Sequence, residues 1–318
     1  MDLLLIDGSN VAKKAFASKS PAPQHLRLIF GFAKSLYYIR TQFPRNKIVI
    51  CWDNMGSARR IEESEKAWKE GITKSPYKGS KLVERPQRNE QFKDLPEQMP
   101  MLLEFLNNIS CLQYNVFGYE ADDVIHTLAK KNSGKNIIVS ADRDYWQLIT
   151  EKTNCYIPLD KDNHIMDGHR FFEKFGFQVS SYLDYCVLAG DASDYIHSPD
   201  GWAEGTANKY IRQYGSIDGV KSYIEDKLAT FISLCEDGNS KKKDIKAFEL
   251  SKAEESFLVQ YDRIKLGMSL KKMDVVPNVD LPSENDFKRG DVDNFKKLCY
   301  KYGMPEYAFK SHFFFERF

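Results

Sequence analysis

The chain has 318 residues, of which 42% are hydrophobic, and this length and composition allow one large domain or two smaller ones with a substantial core. It contains no run of 18 or more apolar residues and begins with a short, acidic stretch, so we expect neither a membrane-spanning helix nor a signal peptide. The six cysteines are scattered without zinc spacing, which favours reduced, mostly buried thiols in a cytoplasmic setting.

The net charge of +1 conceals an uneven distribution of charge. Nine acidic residues are assigned below to one site, and without them the same count leaves the rest of the chain at about +10. A basic body around an acidic pocket favours a polyanionic substrate such as nucleic acid. Acidic and basic patches also occur on proteins of other classes, so the charge by itself does not decide between them.

Strand-like and helix-like patterns alternate along the first half of the chain. Residues 2–6 and 47–52 are short apolar runs typical of buried strands, and residues 24–41 between them carry apolar side chains at helical spacing. Further segments continue the alternation, with helices at 95–109 and 120–132 and strands at 111–117 and 135–140. This order predicts a doubly wound α/β fold with a mainly parallel sheet.

Residues 56–93 differ in character from the segments around them. They contain ten Lys or Arg and six Glu but few aliphatic residues, so we expect an excursion from the sheet rather than a part of the core. A helix at 178–189 is followed by glycine-rich turns and charged helices, with the lysines at 241–243 in a loop. We therefore predict an α/β core over 1–177, including the excursion, and a smaller helical region over 178–318.

Acidic residues follow the predicted strands at the point where each strand ends. In doubly wound sheets the carboxyl ends of the strands meet at one edge, where functional groups collect. Two further acids lie three residues apart and would share one side of a helical turn. We expect all of these carboxylates to converge on one site. They are Asp7, Asp53, Glu120, Asp122, Asp123, Asp142, Asp144, Asp191 and Asp194.

A cluster of this kind requires compensating positive charge, because two carboxylates about 4 Å apart repel by roughly 4 kcal/mol at an effective dielectric constant of 20. Hard divalent ions, Mg²⁺ first and Mn²⁺ as the alternative, take oxygen ligands and would supply that charge. Two such ions about 4 Å apart support phosphodiester hydrolysis. Another interpretation stays open for acids at strand ends, above all Glu120 and Asp123, since such acids also serve as helix caps.

Five motifs, taken together and in this order, resemble the 5′ nuclease family. They are DGSN at 7–10, WDN at 52–54, GYEADDVI at 118–125, SADRDYWQL at 140–148 and LAGDASDYI at 188–196. The family includes flap endonucleases, phage RNase H-type 5′ nucleases and the 5′-exonuclease domain of bacterial DNA polymerase I. The resemblance covers about residues 2–215, and the pairing of EADD with SADRD at this spacing is its most specific part.

The resemblance implies a role for each matched acid. The acids around a first metal ion would be Asp7, Asp53, Glu120, Asp122 and Asp123. Those around a second ion would be Asp142, Asp144, Asp191 and Asp194. Several of these residues would act through metal-bound water.

The resemblance also implies a helical arch at about 56–93, through which a 5′ single strand passes. Tyr77, Lys78 and Lys81 correspond to catalytic residues near the scissile phosphate, where Lys78 would stabilise transition-state charge and Tyr77 would stack on a base. The implied nucleic-acid contacts are Lys14, Lys78, Lys81, Arg85, Gly201 and Lys209. Each lysine can also be read as a solvated surface charge.

The segment after the last acids departs from the family pattern. Family members carry a helix–hairpin–helix there, with a glycine-rich turn and a nearby lysine that hold a duplex phosphate, often through a K⁺ ion. Here residues 198–205 read SPDGWAEG, so that Ala203 replaces the second glycine and Gly205 replaces the lysine. Backbone amides can still hold a phosphate, but the sequence pattern that accompanies the K⁺ ion in the family is not present here.

The resemblance implies a 5′-3′ exonuclease or flap endonuclease that acts on DNA with 5′ flaps or junctions. It also implies RNase H activity on RNA/DNA hybrids during replication or repair, in the cytoplasm of a bacterial or phage-infected cell. We expect a monomer with no membrane partner. Partners would include a sliding clamp or a single-stranded DNA-binding protein, for which the aromatic residues at 313–315 and Phe318 offer a docking motif, unless they pack on the core.

Two alternatives to a 5′ nuclease remain open. The first is a nucleic-acid-binding module that has kept the fold without strong catalysis, although none of the nine expected acids is missing. The second is a PIN-like RNA endonuclease, which shares acids on a sheet edge but is normally shorter and lacks an arch.

Overall fold

A computed structural model describes residues 1–18, 22–77, 92–158, 165–237, 240–287 and 290–315. Three residues of the predicted arch, Lys78, Lys81 and Arg85, lie outside the described residues, as does Phe318.

The chain divides into two compact units, which are not consecutive halves of the sequence. One unit comprises residues 1–58, 84–168 and 273–318, and we call it the sheet unit. The other comprises residues 59–83 and 169–272, and we call it the helical unit. The division of the chain into functional domains at 177/178 stays a prediction.

The described part of the sheet unit forms a six-stranded sheet in the order β3-β2-β1-β4-β5-β6. Strands β1 to β5 all run parallel to one another, and β6 runs antiparallel to β5. The strands are β1 (Leu3–Asp7), β2 (Lys47–Trp52), β3 (Cys111–Asn115), β4 (Asn136–Val139), β5 (Thr153–Tyr156) and β6 (Ile165–Met166). The predicted doubly wound, mainly parallel fold is therefore confirmed, and the strand order reverses between β1 and β4, where such folds place their ligands.

Helices occupy most of the remaining described chain. In chain order they are α1 (Gly8–Ala17), α2 (Arg27–Gln42), α3 (Ala58–Lys69), α4 (Leu95–Leu106), α5 (Ala121–Lys131), α6 (Gly168–Phe175), α7 (Tyr182–Ala189), α8 (Glu204–Tyr214), α9 (Ile217–Glu236), α10 (Lys242–Phe248), α11 (Lys252–Val259), α12 (Tyr261–Lys271), α13 (Val292–Lys301) and α14 (Pro305–Phe309). Short 3-10 helices lie at Gln24–Leu26, Arg143–Leu148, Val179–Ser181, Glu284–Asp286 and Ser311–Phe313.

The core of the sheet unit is built on strands that are apolar on both faces. The four residues from Leu3 to Ile6 are fully buried, which is the pattern of a central parallel strand covered by helices on both sides. Helix α1 packs on α2 and on β2, and α5 packs on β1 and β2. These contacts fix the carboxyl ends of the central strands, where the candidate site lies.

The C-terminal aromatic residues belong to this core. Phe314 is 1% exposed and contacts the rings of Phe105 and Phe295, and Phe315 is also buried. Phe313 is half-buried and packs edge-on against Tyr37 at 4.9 Å. Packing on the core is therefore confirmed for 313–315. Docking of these residues on a sliding clamp stays a prediction, and it would require rings that pack on the core to become available to a partner.

The helical unit corrects one predicted loop. Lys241 is the residue that precedes α10, and Lys242 and Lys243 lie in its first turn, so the three lysines begin a helix instead of forming a loop. The Gly-Asn-Ser sequence just before them is typical of a loop but gives no sign of how soon the next helix begins. Asp244 in the same turn offsets the unfavourable placement of two cations at a helix N-terminus.

Among the described residues, no helix is both long enough and apolar enough to span a membrane.

Candidate functional site

The DGSN motif joins β1 to α1 at the carboxyl edge of the sheet. Asp7 is the last residue of β1 and caps α1, where its Oδ1 accepts a hydrogen bond from the Asn10 amide at 2.9 Å. Gly8 lies so close to β2 that a Cβ atom there would meet Ile50 at 2.7 Å and Trp52 at 2.8 Å. Only glycine therefore allows α1 to start directly against the neighbouring strand.

The next two residues of the motif fasten the neighbouring strand ends. The Asp53 amide donates a hydrogen bond to Ser9 Oγ at 2.9 Å, which ties the end of β2 to α1. The Ala141 amide donates to Asn10 Oδ1 at 3.1 Å, which ties the loop after β4 to the same helix. The motif thus acts as a clamp that holds Asp53 and the segment before Asp142 beside Asp7. The roles of Ser9 and Asn10 were not predicted from the sequence.

The Asp7 carboxylate is buried and hydrogen-bonded at the carboxyl edge of the sheet. It is 7% exposed, and its Oδ2 accepts hydrogen bonds from Ser140 Oγ and from the Tyr145 hydroxyl, both at 3.1 Å. Burial and the charge of Asp53, followed by that of Asp142, raise the pKa of Asp7 to about 7. The protein therefore supplies too little positive charge to balance the carboxylates around Asp7, and such an imbalance favours the binding of a cation.

The Tyr145 hydroxyl is a common neighbour of four of the predicted acids. Burial, together with the charges of Asp7, Asp122, Asp142 and Asp53, holds the pKa of Tyr145 well above its usual range. The phenol consequently stays protonated and remains a hydrogen-bond donor. The structure thus brings these four acids together around one point, and Tyr145 is a further site residue that the sequence analysis missed.

Asp53 and Asp142 differ from Asp7 because they are exposed to solvent. Asp53 Oδ1 accepts a hydrogen bond from the Ala121 amide at 3.0 Å, and its other oxygen lies 3.7 Å from the Lys13 ammonium. Asp142 Oδ1 accepts from the Asp144 amide at 2.9 Å at the start of a 3-10 helix. Exposed carboxylates beside a buried one give a site that water and substrate can reach.

Glu120 and Asp123 form a capping box at the start of α5. Asp123 is fully buried, and its two oxygens accept hydrogen bonds from the Glu120 amide at 3.3 Å and from the Asp274 amide at 2.6 Å. The helix-cap interpretation left open from the sequence describes these contacts well. A metal ion at Asp123 would have to bind oxygens that already accept these hydrogen bonds, whereas Asp122 is half-buried and faces the charge cluster.

Asp191 and Asp194 belong to the helical unit, where they follow α7. The loop that carries them is closed by two backbone hydrogen bonds between Asp191 and Ile196, at 2.7 and 2.8 Å. Asp191 Oδ1 accepts from the Ser193 amide at 2.7 Å and from the Asp194 amide at 3.4 Å. The loop therefore holds the two acids as a pair, and their convergence with the seven other acids stays a prediction.

Lys271 contacts both acids of this pair. Its side chain is 2% exposed, and its ammonium forms ion pairs with Asp191 and, at 3.4 Å, with Asp194. Burial alone would raise the pKa of Asp191, but the Lys271 charge and the Ser193 hydrogen bonds outweigh it and lower the pKa to about 2. Lys271 is a charged residue of the candidate site that the sequence analysis missed.

A glycine one helical turn earlier explains how Lys271 reaches this position. A Cβ atom on Gly267 would lie 2.9 Å from Val187 and 3.3 Å from Ile196, so its absence lets α12 approach α7 and the acidic loop closely. Residues four apart share one face of a helix, which aims Lys271 at the same loop. The spacing Gly-x-x-x-Lys is the local signal that could have suggested a packed, functional face of α12.

The residues predicted to contact nucleic acid are spread over both units. Tyr77 is buried in the helical unit against Ile196 and Leu270, so its ring would have to leave this cluster to stack on a base. Lys14 is exposed on α1 in the sheet unit. Lys209 is exposed on α8 in the helical unit, with its ammonium 5.8 Å from the centre of the Tyr210 ring.

The divergent hairpin at 198–205 forms a turn anchored by a tryptophan. The Trp202 amide donates to the Pro199 carbonyl at 3.0 Å, and Gly201 adopts a φ of 82° that suits glycine. Trp202 is buried, and its indole donates to the Ala253 carbonyl at 2.8 Å. The bulky residue thus packs this turn onto α11.

The chemistry of the sheet-unit acids fits a hard divalent cation. The donors gathered around Asp7 and Tyr145 are carboxylate oxygens, the ligand type that Mg²⁺ and Mn²⁺ prefer. Buried Asp7 already has part of its charge opposed by hydrogen bonds, and the exposed Asp53 and Asp142 leave room for water ligands.

Comparison with known proteins agrees with this geometry. Residues 2–176 match the family described as 5′-3′ exonuclease, N-terminal resolvase-like domain. The thermostable DNA polymerase I of Thermus thermophilus is 29% identical over 230 residues, which cover 70% of this chain and 25% of that protein. The enzyme of Thermus aquaticus is 25% identical over 323 residues, covering 96% of this chain and 33% of that protein. The chain thus spans a quarter to a third of these relatives.

Two solved structures share the fold. The T5 D15 protein, co-crystallised with metal ions, superposes with a TM-score of 0.63 at 14% identity and covers 98% of this chain and 100% of its own. The catalytic core of Rad2 in complex with a DNA substrate superposes with a TM-score of 0.57 at 14% identity, covering 98% and 91%. Because the matching family domain spans more than half of the sequence, this chain belongs to the family of 5′-3′ exonucleases with an N-terminal resolvase-like domain.

Proposed function

We propose that this protein is a metal-dependent, structure-specific 5′ nuclease that cuts DNA at 5′ flaps and junctions and removes RNA from RNA/DNA hybrids. The observation that supports this most directly is the buried Asp7 carboxylate, which lies beside the like charges of Asp53 and Asp142 at the edge of the sheet where the strand order reverses. Family membership supports the same conclusion.

Two divalent ions, Mg²⁺ or alternatively Mn²⁺, fit the proposed chemistry. The first would be held by the sheet-unit acids around Asp7, with Asp53 and Asp122, and Asp191 and Asp194 stay the predicted ligands of the second. Such ions neutralise the attacking and leaving oxygens in phosphodiester hydrolysis. Among proteins with this fold, the T5 D15 protein was co-crystallised with metal ions and the Rad2 catalytic core with a DNA substrate.

The chain's own residues prepare the site for this reaction. Ser140 and Tyr145 donate hydrogen bonds to one oxygen of Asp7, which fixes the carboxylate and keeps its orientation independent of the substrate. Ser9 and Asn10 fix the neighbouring loops. Exposed Lys14 on α1 would contact a substrate phosphate. The roles of Lys78, Lys81 and Arg85 in the arch rest on the family resemblance alone.

The proposed cleavage would leave a 5′ phosphate and a 3′ hydroxyl. Its experimental test uses an end-labelled 5′ flap with Mg²⁺, with EDTA as the negative control. Asp142→Asn should abolish cleavage while flap binding in a gel-shift assay stays within a few-fold of wild type. The matched control is Asp293→Asn, which alters an exposed acid in the first turn of α13 and should cut normally.

Two other results would redirect the assignment. Binding of the flap without Mg²⁺-dependent cleavage would indicate a non-catalytic binding module. Cleavage of single-stranded RNA in preference to flapped DNA would indicate a PIN-like RNA endonuclease. The cytoplasmic location, the monomeric state, the K⁺ ion at the hairpin and contacts with a sliding clamp or single-stranded DNA-binding protein stay predictions.

A further inference from the structure

A cavity of about 620 Å³ opens beside Asp53 in the sheet unit. It lies between α1, the ends of β2 and β3, and α4. Its wall is largely apolar and is formed by Ala12, Trp52, Met99 and Leu103, among others. Since ligand pockets typically measure about 300–1,000 Å³, this space is large enough for a planar ring with its sugar.

Side-chain amides form the polar part of this cavity. The Trp52 indole donates to Gln113 Oε1 at 3.0 Å, and Gln113 Nε2 donates to Asn107 Oδ1 at 3.0 Å. This chain of hydrogen bonds fixes both the flat tryptophan and the amides around it. An amide carries donors and an acceptor, so it can meet the edge of a nucleobase without demanding one particular base.

Lys13 and Asp53 are the charged residues that line the cavity. The Lys13 side chain is 60% exposed, and its ammonium lies 3.7 Å from the Asp53 carboxylate. A phosphate held by Lys13 would therefore stand next to a candidate metal ligand. A lipid chain or an apolar peptide segment would use the wall of this cavity but neither the lysine nor the amides.

We propose that this cavity receives one unpaired base of the strand that is being cut, with the phosphate beside that base drawn to Lys13. The proposal rests on the proposed nuclease function and adds a base-binding subsite to it. The apolar wall replaces the stacking that the base loses when it leaves the duplex. The subsite would thereby set how far a phosphodiester must advance before it lies among the acids.

The test places 2-aminopurine, whose fluorescence rises when it unstacks, at single positions on either side of the flap junction. Wild-type protein is added with Ca²⁺ in place of Mg²⁺, and gels check that the substrate remains intact. We expect a several-fold rise in fluorescence at one or two positions next to the cleavage site. No rise at any position would overturn the proposal.

Variants then assign the rise to the cavity. Leu103→Trp places an indole in the cavity from a residue that is 37% exposed, and Val292→Trp is the matched control at a residue that is 38% exposed and does not line it. Leu103→Trp should abolish the fluorescence rise and lower kcat/KM on the flap at least tenfold, whereas Val292→Trp should leave both unchanged. Met99→Trp is a second filling variant, and circular dichroism confirms that each variant folds.

The outcomes separate the subsite from the nuclease function. If Leu103→Trp and Met99→Trp retain the fluorescence rise and normal cleavage, the subsite is refuted while the nuclease function stands. If wild-type protein does not cut the flap in Mg²⁺, the nuclease function itself is refuted, and the subsite with it.

Discussion

The Lys271 ammonium is buried against the carboxylates of Asp191 and Asp194 at the C-terminal end of α12. Two acids three residues apart thus have a protein cation as their counter-ion, although they are the predicted ligands of a divalent ion. Any metal bound by this pair must share the carboxylates with Lys271 or displace its ammonium. The lysine therefore stabilises the two acids in the absence of metal and lowers their affinity for a metal ion.

Replacing Lys271 with Met should expose this competition. Breaking a buried ion pair on one side costs about 3 kcal/mol or more, so the variant should unfold at a lower temperature than wild type in EDTA. Added Mg²⁺ should raise the Tm of the variant more than that of wild type, because the acids lack their counter-ion. Differential scanning calorimetry with and without Mg²⁺ measures both effects, and Lys272→Met at the exposed neighbouring residue is the matched control. An equal Mg²⁺ response in the three proteins would contradict the prediction.

Asp7 should make the metal-free protein less stable as the pH rises. Burial and the charge of Asp53 raise the pKa of Asp7 to about 7, whereas the unfolded chain loses this proton near pH 4. Between these values the folded state binds more protons than the unfolded state, so stability falls with increasing pH and the full penalty is present above pH 7. Below pH 4 both states are protonated and the penalty vanishes.

Asp7→Asn should therefore be more stable than wild type in EDTA at pH 8, by up to about 4 kcal/mol, and similar to it at pH 4. The amide keeps an oxygen for the Asn10 hydrogen bond that caps α1. Cleavage should be lost, and Mg²⁺ should stabilise the variant less than wild type. Urea unfolding at several pH values is the measurement. A stability difference that does not change with pH would show that the charge of Asp7 is not the cause.

The placement of the acids could be predicted because parallel strands end at one edge of a sheet. Asp7, Asp53 and Asp142 each follow an apolar strand, and the structure shows their charges acting on one another. The residues at which strands and helices end were harder to predict. The strand expected at 111–117 stops at Asn115, because Phe117 is apolar but 76% exposed and Gly118 turns the chain with a φ of 78°.

Contacts between distant residues could not be predicted from the sequence, because a local spacing such as Gly-x-x-x-Lys indicates a packed face without identifying its partner. Lys271 lies 80 residues from Asp191, and a lysine near the end of a helix is ordinary in a surface helix. Ser9 and Asn10 belong to the DGSN motif that carries the resemblance. Their hydrogen-bond partners are the amides of Asp53 and Ala141, which are backbone groups present in any sequence. The sequence identifies such donors only after the strand order is known.

Ser9→Ala should weaken the site without unfolding the protein. The change removes the hydroxyl that accepts a hydrogen bond from the Asp53 amide at 2.9 Å, so the backbone that carries the Asp53 carboxylate is held less firmly. Second-layer contacts of this kind typically change metal affinity or activity by about 10–100-fold. Titration calorimetry with Mn²⁺ and flap cleavage are the measurements. Ser18→Ala, at the other end of α1, is the control and should leave both values near wild type. Equal effects of the two changes would show that Ser9 has no specific role in holding Asp53.

Phe314→Ala should test whether the C-terminal segment completes the core of the sheet unit. Phe314 is 1% exposed and lies 5.0 Å from Phe295 and 5.8 Å from Phe105 between ring centres, so truncation should leave a cavity. Buried Phe→Ala changes typically cost about 3–5 kcal/mol, measured here by urea unfolding. Phe309→Ala, at a residue that is 78% exposed, should change stability by less than about 0.5 kcal/mol. A Phe314 variant with wild-type stability would mean that this ring is free for a partner, as a docking motif requires.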